Sequence, residues 1–213
     1  MADDLTYHLT EFIIARSKND KRHILPDIPL GCESLLDVGC GAGQTLEPCY
    51  TNNVRGFGVD CNLEALKLGA KLNVRAGLVC SRGEVLPFRP SCFDLIISRV
   101  SLPYMNIPVA LEDFARVLKP SGRVWLVLHP LAMVNWRNAL KSPRSAAYEV
   151  YRLLNTATLH FGGFEFGYPL RRSRMESYQT VSGMCRALKR SGFENIEITN
   201  GAHFVATARK RGI

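Results

Sequence analysis

The sequence predicts an α/β fold: a seven-stranded, mostly parallel sheet with helices on both faces, ended by an antiparallel hairpin. Three observations predict it. Between residues 34 and 128, short β-branched or apolar runs end in turn residues and alternate with helix-period segments. Strand–helix–strand alternation requires a parallel sheet covered on both faces. Near the C-terminus two further apolar runs are joined only by Asn200-Gly201-Ala202-His203, a link short enough to favour a hairpin at the sheet edge.

The elements follow in order. Leu5–Ser17 has the pattern of an amphipathic helix. Strands are expected at Ser34–Val38, Arg55–Val59, Ala76–Cys80, Phe93–Ser98 and Arg123–Leu128, with helices Thr45–Tyr50, Leu63–Leu72 and Pro108–Leu118 between them. Lys119-Pro120-Ser121-Gly122 ends the last of these with turn chemistry. After Leu128 the rhythm breaks. Residues 129–176 hold two apparent helices, Leu131–Leu140 and Ser145–Leu159, and an aromatic, glycine-rich loop from Phe161 to Pro169. Helix Tyr178–Ser191 and strands Phe193–Thr199 and Phe204–Arg209 restore the pattern. We read one domain over 1–213, with an N-terminal helical segment of about 1–30 and a lid insertion of about 129–176.

The 213 residues suffice for a full-sized core, and the 46% apolar and 22% charged fractions are ordinary for a globular protein. No apolar run approaches the roughly 20 residues of a membrane span. The acidic start Met-Ala-Asp-Asp does not resemble a secretory signal. Seven scattered cysteines without a C-x-x-C pair suggest neither a disulfide framework nor a metal site, and fit a reducing, cytoplasmic setting. The net charge of +8 is uneven. Residues 1–106 hold 11 Lys/Arg and 12 Asp/Glu, whereas residues 107–213 hold 16 and 7. The densest runs are Arg171-Arg172-Ser173-Arg174, Arg186 to Arg190 and Arg209-Lys210-Arg211. Such a field can steer an acidic substrate or a polyanion, or is simply a soluble surface.

The most informative stretch is Leu35-Leu36-Asp37-Val38-Gly39-Cys40-Gly41-Ala42-Gly43-Gln44-Thr45-Leu46. A strand, a glycine turn and a helix start make a nucleotide-cofactor loop. Asp37 discriminates between cofactors. A dinucleotide pyrophosphate needs bare N–H groups and a helix N-terminus at this place, and the sixth position of Gly39-x-Gly41-x-x-x lacks the last glycine of a dinucleotide loop. An NAD enzyme is therefore disfavoured. S-adenosyl-L-methionine (SAM) has no phosphate and carries an ammonium and a sulfonium, so an acid suits it.

Four ordered motifs then resemble the class I SAM-dependent methyltransferases. Leu36 to Gly43 resembles their first motif and Gly58-Val59-Asp60 their second. Glu84-Val85-Leu86-Pro87-Phe88 with Ser91-Cys92-Phe93-Asp94-Leu95-Ile96, and Phe114 to Gly122, resemble passages of the type 11 branch, which includes quinone-pathway and small-molecule methyltransferases. The likeness covers about residues 34–128 plus the terminal hairpin, and implies a Rossmann-like sheet with SAM as cofactor. It implies cofactor contacts at Asp37, Gly39, Cys40, Gly41, Gly43, Asp60, Cys61, Gly83, Glu84, Val85, Ser98 and Arg99. Asp60 can accept both ribose hydroxyls or, alternatively, cap the helix that follows. Asp37 can receive the ammonium or pin the loop. Arg99 can meet a substrate acid, the cofactor carboxylate or a surface acid. One departure stands out: Arg82 occupies a position where the family often has an acid facing adenine, which leaves that ring to backbone groups around Gly83 to Val85 or to a shift that brings Glu84 in.

Methyl transfer from a sulfonium is an in-line displacement. It needs alignment and dryness, and a general base only for a weak nucleophile. His129, just past the fifth strand, is the leading base candidate or, alternatively, a histidine bonded to a turn carbonyl before Pro130; Tyr104 and Tyr148 stand behind it as bases. Tyr7, His8 and Phe12 on the N-terminal helix and the 129–176 insertion are expected to close the site, with the Phe161–Tyr168 aromatics either packed within the insertion or available to stack on a planar ring. The Asn/Asp-Pro-Pro-Tyr/Phe sequence that holds planar amines is replaced by Ser98-Arg99-Val100-Ser101. The expected partner is a small, possibly anionic acceptor methylated on oxygen or carbon. RNA or another polyanion is the alternative acceptor, and a catalytically silent SAM-binding subunit is the alternative outside catalysis.

Overall fold

The computed structural model describes residues 2–17, 19–49, 54–72, 74–171 and 174–212. Helix α1 spans Ala2–Arg16. The sheet is built from β1 (Ser34–Val38), β2 (Arg55–Asp60), β3 (Gly77–Cys80), β4 (Phe93–Arg99), β5 (Leu118–Leu128), β6 (Phe193–Asn200) and β7 (Phe204–Lys210), in the order β3-β2-β1-β4-β5-β7-β6. The first five strands pair in parallel, and β7 runs antiparallel to both β5 and β6. The expected sheet and its closing hairpin are both present.

The inner stretches of the central strands β1, β4 and β5 are apolar because both faces are buried there. Leu36 and Val38 of β1, with Val124, Leu126 and Leu128 of β5, pack under helices α4 (Ile107–Val117) and α7 (Val181–Arg190). Their neighbours Leu35, Trp125 and Val127 pack on the opposite face, against Leu46 of the short α2 (Leu46–Cys49) and Leu66 of α3 (Leu63–Lys71). The period-two alternation thus sorts one strand into two cores. Asp94 ties the far end of the sheet, accepting from the Ser34 hydroxyl at 2.6 Å, from the backbone N–H of Glu33 and Ser34, and from Lys119 Nζ at 2.8 Å.

Several boundaries differ from the sequence expectation. The Lys119–Gly122 turn is drawn into the start of β5: Leu118 pairs with Phe93, the register then shifts, and Ser121 takes a φ of +61°. Residues 131–140 form a 3₁₀ turn (Leu131–Met133) and a four-residue helix α5 (Trp136–Ala139) instead of one helix. Helix α6 spans Pro143–Ala157 and opens into a wide π turn over Thr158–Gly162. Tyr178 and Gln179 are extended, because the Gln179 N–H donates to the His129 carbonyl at 2.7 Å and α7 begins only after the Thr180 cap. Tyr50, at the expected end of α2, and Arg172 and Ser173 of the first basic run lie outside the described residues.

Phe114 is fully buried between the sheet and α7. Phe114→Ala is expected to cost about 3–5 kcal/mol through lost burial and a residual cavity. Urea unfolding checks it: the midpoint falls while the m-value is unchanged.

Candidate functional site

A cavity of about 410 Å³ opens at the C-terminal ends of β1, β2 and β4. Its wall includes Asp60, Cys61, Ser81, Arg82, Gly83 and Glu84, together with Tyr7, His8, Glu11, Arg99, Ser101 and Tyr104. Gly39 and Gly41 of the glycine turn line it as well. Gly39 has φ +78°, and a Cβ there would fall 2.1 Å from the Ser101 Cβ, so only glycine fits beneath that residue.

Side chains hold the turn. Asp60 Oδ2 accepts from the Gly41 N–H at 2.8 Å and its Oδ1 from the Asn62 N–H at 2.8 Å. Ser101 Oγ donates to the Gly39 carbonyl at 3.0 Å, and Gln44 Oε1 accepts from Ala42 at 3.0 Å. The cap of α3 is Asn62, which accepts from Glu64 and Ala65. Asp60 therefore keeps lone pairs free on a wall where a diol can reach them.

Asp37 lies behind this wall, 1% exposed, in register with Gly58 and Ile97. Neither of its oxygens has a hydrogen-bond partner among the described residues. Burial pushes its carboxyl up to about 7; the nearby Arg99 charge pulls it down and Asp60 adds to the rise. An orphaned buried acid at the root of a glycine cradle fits a cofactor that brings positive charge.

The comparisons agree with this geometry. Residues 36–126 match the model of a family described as "Methyltransferase domain". A human protein named "Arginine-hydroxylase NDUFAF5, mitochondrial" is 35% identical over 98 residues, 45% of this chain and 28% of its own length. A "Malonyl-[acyl-carrier protein] O-methyltransferase" from Herminiimonas arsenicoxydans is 25% identical over 174 residues, 82% of this chain and 56% of its own length. The chain thus spans well under two thirds of either relative. The solved structure of an S-adenosylmethionine-dependent methyltransferase from Mesorhizobium loti aligns with TM-score 0.60 at 17% identity, covering 87% of this chain and 94% of that one. Over residues 36–126 the chain thus resembles a methyltransferase domain, and it has the fold of the S-adenosylmethionine-dependent methyltransferases.

Within this methyltransferase-like fold, the structure brings part of the expected set to the cavity. Gly39, Gly41, Asp60, Cys61, Gly83, Glu84 and Arg99 line it. Asp37, Cys40, Gly43, Val85 and Ser98 do not. Cys40 is buried toward Gly58, where a Cβ would meet its sulfur at 2.7 Å, and Gly43 packs against Val74. Ser98 is wholly buried with an unpartnered hydroxyl, and the Val85 side chain is 69% exposed. On the adenine-side question left by Arg82, Glu84 itself turns to the wall. Burial opposes its charge, but a bidentate Arg82 pair (2.9 and 3.3 Å) and the Asn106 N–H (3.1 Å) hold it below the usual carboxylate range.

Arg99 settles on an acid that the sequence reading did not single out. Its Nη2 lies 2.6 Å from Glu11 Oε2 and its Nε 3.2 Å from Thr45 Oγ1, with both charged side chains nearly buried. This pair docks α1 over the cavity and brings in Tyr7 and His8, whereas Phe12 is buried elsewhere. His8 Nδ1 is buried, has no partner among the described residues, and faces Gly41. Val100, also on the wall, takes φ +64°, a strained conformation for a β-branched residue.

The two expected catalytic residues separate. Tyr104 is on the wall and half exposed. His129 is not on it: its ring packs edge-on behind Tyr104 at 5.4 Å between centroids, and its backbone is held on both sides by Gln179. Burial lowers the His129 pKa. The aromatic loop does not reach the cavity either. Phe166 and Tyr168 pack on Tyr151, Tyr148 donates to Glu176 at 2.5 Å, and Phe161 and Phe164 point to solvent. In the second basic run, Arg186 donates to the His160 and Phe161 carbonyls and Arg190 to that of Gly162, so these cations cap the wide turn.

Two predictions follow from the buried charges. An unfolded aspartate titrates near 3.8, so between about 4 and 7 only the folded state keeps the Asp37 proton. Stability then falls as pH rises through that window, by at most roughly 4 kcal/mol. Asp37→Asn should melt like the parent at pH 4 and above it at pH 8; a lower Tm at pH 8 would show that the carboxylate braces the turn. Glu11→Gln leaves Arg99 buried without its counter-charge, a loss of about 3 kcal/mol. Hydrogen exchange should report it as lost protection across α1.

Proposed function

We propose that this protein transfers a methyl group to an oxygen or carbon nucleophile of a small molecule seated between α1 and Tyr104. The carrying observation is one cavity wall that joins acceptor carboxylates, Asp60 and Glu84, to Tyr7, His8 and Tyr104. When bound, S-adenosylmethionine supplies the electrophilic methyl on its sulfonium. Asp60 accepts the ribose hydroxyls, Glu84 with Arg82 meets the base, and Arg99 offers its guanidinium to the methionine carboxylate in competition with Glu11. The docked α1 excludes water, which keeps the nucleophile aligned and dry.

Several features support oxygen or carbon over a planar amine. The site has no Asn/Asp-Pro-Pro clamp, and in the sequence that replaces it Ser98 is buried and Val100 is left-handed. A relative is named as an O-methyltransferase. The imidazole that faces the cavity is His8, so deprotonation falls to it where the acceptor needs it. His129 acts through its edge-on contact, fixing the Tyr104 ring. A polyanion acceptor is less favoured, because Arg186 and Arg190 are spent on carbonyl groups.

Asp60→Ala should weaken S-adenosylmethionine by ~1–3 kcal/mol, the worth of charged hydrogen bonds. Calorimetry reads it directly, and unchanged affinity removes Asp60 from the ribose site. A metabolite and RNA screen with methyl-labelled cofactor tests the reaction. Labelling of a small molecule that is lost in His8→Ala supports the proposal; labelling of RNA alone, or tight cofactor binding with no product, sinks it.

A further inference from the structure

The segment between β5 and α7 distributes its charge unevenly. From 129 to 176 the sequence contains three acids, Glu149, Glu165 and Glu176, and they are only 6%, 8% and 5% exposed. All three are engaged inside the fold: Glu149 with Tyr178 and Arg152, Glu165 with the Ile107 N–H and Ser177, and Glu176 with Tyr148 and Arg152. Among the described residues, the charge that this segment shows to solvent is therefore cationic. Arg137, Lys141, Arg144 and Arg171 are all exposed.

Large apolar side chains are exposed beside these cations. Trp136 is 59% and Leu140 81% exposed, on and just after α5. Along α6, Ala147, Val150, Leu154 and Ala157 recur at 3-4-3 spacing and all face solvent. That spacing defines one stripe of a helix and ordinarily faces a core. Here the core takes the other side of α6, through Tyr151 and Asn155.

We propose that this cationic, apolar face docks the protein on the surface of an anionic lipid bilayer. Apolar side chains rimmed by Lys and Arg, with no exposed acid, fit the boundary between headgroups and acyl chains, where basic side chains extend their stems along apolar surface and keep their charge among phosphates. A tryptophan beside those cations suits the same depth. A second copy of the chain fits poorly, because a two-fold axis sets each cation cluster against its own image. Docking is peripheral: no helix of the described residues is long and apolar enough to cross a membrane.

The full chain is co-sedimented with vesicles of phosphatidylcholine alone and of an equimolar phosphatidylcholine–phosphatidylglycerol mixture, without cofactor, so the outcome is independent of the methyl acceptor. Binding is expected to the mixed vesicles only and to weaken at high salt. Lys141→Glu with Arg144→Glu should lower partitioning by more than about tenfold, and Trp136→Ala and Leu154→Asp should each lower it as well. All variants should retain S-adenosylmethionine affinity, which reports an intact fold. Absence of binding to mixed vesicles overturns the proposal. So does binding that depends on the cations but not on Trp136 or Leu154, which would indicate a soluble polyanion. A dimer in sedimentation velocity that Leu154→Asp dissolves, with no vesicle binding, would assign the face to a second copy.

Discussion

The position of β1 between β2 and β4 governs the rest of the molecule. All three strands run the same way, yet the chain leaves β1 toward one side of the sheet and later returns on the other. No connection crosses the C-terminal ends at that point, so a crevice is left there. The glycine turn, Asp60 and the Ser98–Ser101 segment all lie on its rim because their strands end there. Asp37 sits at the pivot itself, flanked by two strands and too deep for water.

The rim is organised by side chains of the rim. Asp60 accepts from the Gly41 N–H, Ser101 donates to the Gly39 carbonyl, and Gln44 accepts from Ala42. The same carboxylate that offers lone pairs to the cavity therefore shapes the turn opposite it. Such coupling lowers the ordering cost of binding, and it means that turn geometry and diol recognition change together.

The sheet was legible in the sequence because strands buried on both faces have little latitude: Leu35-Leu36, Leu95 to Ile97 and Val124 to Leu128 are unbroken apolar runs, and Asn200–His203 is too short for anything but a hairpin. Asp60, Gly39 and Gly83 were legible because motif spacing places them at strand ends. The roof of the cavity was not. Glu11 and Arg99 are 88 residues apart, and an amphipathic pattern in α1 says that one face is buried but not against what. His129 looked catalytic because it follows a strand end, yet Gln179 claims its backbone and Tyr104 stands in front. The Phe161–Tyr168 aromatics could be read as packing or as a stacking platform; Phe166 and Tyr168 pack within the segment, while Phe161 and Phe164 face solvent. Arg186 and Arg190 looked like a free field, because a wide turn that leaves carbonyls unpaired has no sequence signature.

The Gln179 contact has a wider meaning. It grips His129 twice, once through the backbone N–H and once through the side-chain oxygen, and forms a bridge to Pro130. The two ends of a roughly fifty-residue excursion are thus held side by side at the C-terminal end of β5. Excursions anchored this way cost little more chain entropy when they lengthen or shorten. The segment has the standing of an exchangeable cassette: across evolution it can be lost, replaced or remodelled while the strands beneath it, and the crevice they frame, stay as they are.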